Sequence, residues 1–307
     1  MSSQNYGIFI IMSNTLKGVI CAIVAAVSYG TIPLGALCLY EQGVNTDSIL
    51  FYRYLLALII LCGVMFVKKE GFKVTKREFF TVMSLGAFFM LSSITLFISY
   101  KYMDAGIAST LLFVYPVMVA VIMSVFFKEK LTLKIVLSIV LALAGIGLLY
   151  KGENGVVLSG TGVALVLVSA LTYAIYMVGI NKSKIKLSSL KMTFYVSIAC
   201  IFWVVLHSFS SVENNIHLIP SAEGWMWIVF LAIVPTVLSL VSLTIALRCI
   251  GSTPVAIMGA LEPLTAVLIG VMVFDEAFTI KLAGGILLIL LAVIVILIKG
   301  NVDKNGW

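Results

Sequence analysis

Apolar residues run along this chain in ten blocks, each closed by charged or turn-forming residues: 17–39, 47–67, 78–99, 104–127, 131–150, 160–180, 189–209, 224–247, 252–274 and 279–298. Each block is longer than an ordinary strand and close to the roughly 20 residues that a helix needs to cross a bilayer core about 30 Å thick. In lipid the backbone must satisfy its own hydrogen bonds, so the blocks predict helices and not open strands. The expected fold is an all-α integral membrane protein with ten transmembrane helices. The connectors leave almost nothing for a soluble domain.

Composition agrees with the pattern. The chain is 62% hydrophobic and 11% charged, whereas soluble domains carry about 25% charged residues, which excludes an ordinary soluble enzyme. The net charge of +7 does not call for a nucleic-acid partner, because the basic residues sit in the gaps between apolar blocks. With the N-terminus in the cytoplasm, 16 of the 20 Lys and Arg residues fall on the cytoplasmic side, Lys101, Lys151 and Lys281 fall outside, and Arg53 lies within a span. That bias predicts a multi-pass inner-membrane protein with both termini cytoplasmic. Tyr6 to Met12 is too short, and lacks the basic leader, for a cleavable signal, and Met12 is an alternative start. Cys21, Cys38, Cys62, Cys200 and Cys249 are odd in number and lie in or beside apolar runs, as buried small hydrophobes do. His207 and His217 read as solvated loop residues near the outer face. Zinc spacings, phosphate loops and nucleophile elbows are missing, so no metal, cofactor or catalytic set is expected, and the chain is not read as an enzyme.

The chain also repeats itself. A shift of 147 positions lays Ser92 on Ser239, Leu96 on Leu243, Lys101 on Arg248, Pro116 on Pro263, Glu129 on Glu276, Thr132 on Thr279 and Lys134 on Lys281. Near the start of each half a shift of 144 pairs Gly18 with Gly162, Tyr29 with Tyr173 and Gly35 with Gly179. The expected domains are 16–150 and 158–298, with five spans each. An odd number of spans turns the second copy upside down, which is the inverted-repeat plan of many secondary transporters, with a substrate site near the midplane between the halves.

Each half holds an apolar helix with an internal proline followed by a glutamate: Leu111 to Phe127 with Pro116 and then Glu129, and Met258 to Phe274 with Pro263 and then Glu276. This doubled pattern resembles the EamA repeat of the drug/metabolite transporter superfamily over about residues 16 to 298. The resemblance implies a bacterial inner-membrane carrier, often an exporter of amino acids or other small metabolites. The alternatives are an organic-cation or multidrug exchanger, a nucleotide-sugar-type exchanger and a lipid flippase. The expected partners are a small-molecule substrate (an amino acid or related metabolite), membrane lipids and a coupling proton, with the protein a monomer or homodimer.

Two charges lie deep. Arg53 sits about 9 Å below the outer end of its span at 1.5 Å per residue. There it either pins helices or binds a substrate carboxylate or phosphate, and its counterpart in the other half, Val196, is uncharged. Glu262, beside Pro263 near the midplane, has three open readings: a structural partner of Arg53 or of a freed backbone group, a site for an amino-bearing substrate, or a proton-coupling carboxylate. Tyr29, Tyr115, Tyr173, Tyr176, Ser92 and Thr95 are candidates to line a polar cavity, although a helical hydroxyl often bonds the carbonyl one turn back. Pro116 and Pro263 are candidate hinges, and Glu129 and Glu276 candidate gating or structural elements at opposite faces. Gly18, Ala22, Ala26 and Gly30 form a small-residue stripe that predicts close helix packing.

Overall fold

Side chains that accept a hydrogen bond from the first helical turn start five of the long helices: Asn45, Thr75, Ser159, Ser188 and Ser221. Such caps satisfy amides that no earlier carbonyl can reach, and they fix where each helix begins. In a computed structural model describing residues 3–128, 133–150, 159–183, 185–210, 215–251, 255, 258–259 and 261–297, the elements are all helical. They are α1 (Ser3–Gly30), α2 (Ile32–Glu41), α3 (Thr46–Val67), α4 (Lys76–Ser99), α5 (Ala105–Leu112), α6 (Tyr115–Phe127), α7 (Leu133–Tyr150), α8 (Gly160–Lys182), α9 (Ser189–Ser208), α10 (Ala222–Ala232), a π turn (Ile233–Leu238), α11 (Ser239–Ile250), α12 (Leu261–Val273) and α13 (Ile280–Leu297).

Seven runs among the described residues are long and apolar enough to cross a membrane: Asn14–Glu41, Thr46–Val67, Lys76–Ser99, Ala105–Phe127, Gly160–Lys182, Ser189–Ser208 and Ala222–Ile250. Helices α7, α12 and α13 lie where the other three apolar blocks were read.

Three of the ten apolar blocks are interrupted beside a proline. Pro33 breaks the first at Thr31, whose hydroxyl donates to the Ser28 carbonyl at 2.7 Å. The break ahead of Pro116 is a turn at Phe113 and Val114, so the proline stands in the first turn of α6, where a missing N–H costs nothing. Pro263 stands likewise near the start of α12, just after a turn in which the Glu262 N–H donates to the Gly259 carbonyl at 2.9 Å. The two expected hinges are therefore helix starts that follow a break, and not bends within continuous helices.

Pro235 acts differently. It sits inside Ala222–Ile250 and opens the chain there into the π turn, and the Thr236 hydroxyl donates to the Leu231 carbonyl at 2.7 Å. That single residue loosens the helix without ending it.

Packing joins distant parts of the chain. Helix α7 lies along α13, α4 along α8, α1 along α11, α3 along α9 and α5 along α12. One end of the bundle is tied by the Gln42 side chain accepting from the Ser221 hydroxyl and by the Asn45 side-chain amide donating to the Asn215 carbonyl. The opposite end is tied by the Tyr195 hydroxyl donating to the Phe72 carbonyl and the Lys191 ammonium donating to the Lys73 carbonyl.

Candidate functional site

Where α1, α6, α8, α11 and α12 converge, a cavity of about 10 Å³ is lined by Ala22, Ala25, Ala26 and Tyr29 of α1, Tyr115, Tyr173, Ser239 and Leu243, Val255 and Gly259, and Glu262. That volume holds about one water. The alanines of the small-residue stripe leave the space, while its glycines bring helices together. A Cβ on Gly18 would strike Cys249 and Ile250, and one on Gly30 would lie 2.6 Å from the Glu262 carbonyl oxygen and 2.7 Å from Thr265 Cβ. The stripe therefore packs at its ends and lines the cavity in its middle.

Three tyrosines form the aromatic wall. The Tyr29 and Tyr173 rings stack 5.8 Å apart at 8°, and Tyr115 meets Tyr173 edge-on at 4.9 Å. Tyr176 extends this wall away from the cavity, stacked beside Tyr173 and 4.7 Å from Phe89. Glu262 is 5% exposed and lines the cavity beside these rings. A carboxylate ringed by aromatic faces is a setting that favours a cation.

Ser92 and Thr95 lie outside that cavity. The Ser92 and Ser169 hydroxyls are 3.0 Å apart and the Ser169 hydroxyl also donates to the Ser92 carbonyl at 2.8 Å, pinning α4 to α8. The Thr95 hydroxyl donates to the Leu91 carbonyl at 2.8 Å within its own helix. Ser239, by contrast, lines the cavity while its hydroxyl donates to the Ala25 carbonyl at 3.0 Å.

Arg53 does not pair with Glu262. It is wholly buried, with Nε donating to the Thr236 hydroxyl at 2.5 Å and one terminal nitrogen to the Pro235 carbonyl at 3.4 Å, so it holds the π turn. Its carbon Cζ lies 5.2 Å from the centre of the Tyr54 ring and 5.8 Å from that of Phe97. The other terminal nitrogen, Nη1, is buried without an acceptor. Pro235 and Thr236 were not singled out in the sequence; a proline within an apolar run was the available signal.

His207 Nδ1 lies 2.8 Å from Asp47 Oδ2, within hydrogen-bond distance. This corrects the reading of His207 as a solvated loop residue: it ends α9 and faces a carboxylate only 1% exposed, at the start of α3. His217 is held at the same end through its backbone, its N–H donating to the Ser48 hydroxyl at 2.8 Å.

Glu276 spans two distant segments. The Ala105 N–H donates to its Oε1 at 2.8 Å and the Gly106 N–H to its Oε2 at 3.0 Å, so it caps the first turn of α5. Burial pushes its carboxyl above the ordinary range, against the pull of the two amides, and Asp104 adds to the rise. Glu129 lies outside the described residues.

The EamA-like transporter family matches residues 16–151 and again 160–298. A protein named an uncharacterized transporter from Archaeoglobus fulgidus is 24% identical over 272 residues, covering 86% of this chain and 93% of its own. The Bacillus subtilis protein named uncharacterized transporter YxxF is 25% identical over 254 residues, covering 80% of this chain and 78% of its own. A solved crystal structure superposes with a TM-score of 0.68 at 16% identity, covering 93% of this chain and 96% of that one, a likeness of fold alone.

Proposed function

The chain belongs to the EamA-like transporter family, and from that premise we propose that it is a secondary transporter of ten membrane-spanning helices in two inverted five-helix repeats, 16–150 and 158–298. In this reading it exports an amino acid or similar small polar metabolite across a bacterial inner membrane by alternating access, with both termini cytoplasmic.

Three observations support the repeat. The helix pairings map onto themselves when the halves are exchanged: α1 with α11 becomes α8 with α4, and α3 with α9 and α7 with α13 are each preserved. A turn stands ahead of each proline, at Phe113 and Val114 before Pro116 and at Gly259 before Pro263. The left-handed residues Lys128, at φ 58°, and Asp275, at φ 53°, which end α6 and α12, match under the shift of 147.

The observation that carries the substrate reading is Glu262, a buried carboxylate in the wall of a cavity bounded by both halves and three tyrosine rings. A carboxylate desolvated among aromatic faces recognises an ammonium group. The unfilled Nη1 of Arg53 is a donor for the acid group of an amino acid. A second reading is favoured by the placement of Arg53 outside the cavity: a cation without an acid group, carried by Glu262 alone.

A panel of amino acids, organic cations and nucleotide sugars, scored by the melting temperature of the purified protein, separates the readings. A ligand at 100 times its Kd stabilises the fold by about 2.7 kcal/mol. An amino acid that raises the melting temperature of the wild type but not of Glu262→Gln or Arg53→Ala is the expected result. A cation lost only in Glu262→Gln supports the second reading, and a response surviving both substitutions removes these residues from the site.

A further inference from the structure

We propose that Glu276 is the latch that holds the α5 end of the transport path closed, by seating its carboxylate on the first turn of α5 across the boundary between the halves. This rests on the alternating-access reading above and adds the residue that must let go for that end to open.

The seat is built from both sides. On the second half, the Phe274 and Glu276 N–H groups both donate to the Gly270 carbonyl, at 3.1 and 3.0 Å, with Asp275 between them at φ 53°. These bonds and the left-handed Asp275 turn the chain sharply at the end of α12, and so set the direction in which the Glu276 side chain leaves. On the first half, α5 presents two free amides of its opening turn, and each carboxylate oxygen takes one. Asp104 precedes that turn but makes no capping bond with its own side chain, so the cap is supplied from the other half.

Two glycines make room for the carboxylate. A Cβ on Gly106 would come within 2.7 Å of Glu276 Oε2, and one on Gly270 would overlap the carboxylate itself. Helix α12 then links the seat to the cavity: Glu262 stands in its first turn and the Glu276 turn follows its last. The helix spans about 20 Å as a rigid rod, so movement of Glu262 toward a substrate tilts the far end that carries Glu276.

The test places a reporter under the seat. Val267 is 5% exposed and would touch a Cβ on Gly106. Val267→Cys in the full-length protein in detergent is reacted with a hydrophilic maleimide, and modification at that position is read by peptide mass. Glu276→Ala removes both acceptors and is expected to raise the labelling rate at least about tenfold. Glu276→Gln keeps a carbonyl acceptor and raises it less. Gly270→Ala leaves the carboxylate in place but fills its seat and raises it as well; this variant decides alone if Glu276→Ala fails to fold. Unchanged labelling in the folded variants, together with faster hydrogen exchange at Ala105 and Gly106, overturns the proposal and leaves a static helix cap. The outcome is independent of the substrate panel: faster labelling with no ligand response defeats the substrate reading alone, and a ligand response with unchanged labelling defeats the latch alone.

Discussion

Arg53 is a full charge buried at the junction of α3 and the π turn, and its environment decides what substitutions there do. Nε has one acceptor, the Thr236 hydroxyl, and that hydroxyl is in turn committed to the Leu231 carbonyl. Thr236→Val keeps the shape and removes both bonds, so it is expected to destabilise the protein by about 1–3 kcal/mol, the cost of leaving a buried donor unsatisfied. Thermal unfolding checks this, and a melting temperature equal to wild type would mean that another acceptor takes over. The role of Thr236 was hidden in the sequence because its partner is 183 residues away. The same distance problem hid the pairing of His207 with Asp47, 160 residues apart. Arg53 and Glu262 were visible as deep charges, since a charge in an apolar run is conspicuous, but what each one touches depends on helices that only the fold brings together.

At the scale of the helix, hydrophobic length located the starts of α3, α4, α8, α9 and α10 to within a few residues, because a capping side chain stands at each. Face was harder to read. Ser92, Thr95 and Ser239 are all hydroxyls in apolar helices, and only Ser239 reaches the cavity; rotation about the helix axis, set by packing against α8 or α1, separates them. Gly30 shows how tightly that packing is held. It lets α1 approach the α12 backbone at Glu262, and a methyl group there has no space. Gly30→Ala is expected to cost about 1–3 kcal/mol through overpacking and, by pushing Glu262 away from the tyrosines, to abolish the ligand response in the melting assay. A variant with normal ligand response would show that the carboxylate position is not set by this contact.

On the scale of the whole molecule, the five long pairings each join a helix before residue 151 to one after residue 159. Matching prolines and glutamates made a duplication the expectation, but they could not say whether each copy packs on itself or on the other. Timing of synthesis follows from the answer. When α1 enters the membrane, its partner α11 lies about 210 residues downstream, roughly 10–40 s away at about 5–20 residues per second. During that interval the small-residue stripe of α1 has only lipid or the insertion machinery against it. Residues 1–155 made alone should therefore be cleared by membrane proteases, and co-expression with residues 156–307 should restore both fragments, which immunoblotting of membranes would show; a stable solitary first half would contradict this. Helix α13 completes the pair with α7, so the packing of the first half is finished only after most of the second has been made, and quality control in the membrane has that whole interval in which to intervene.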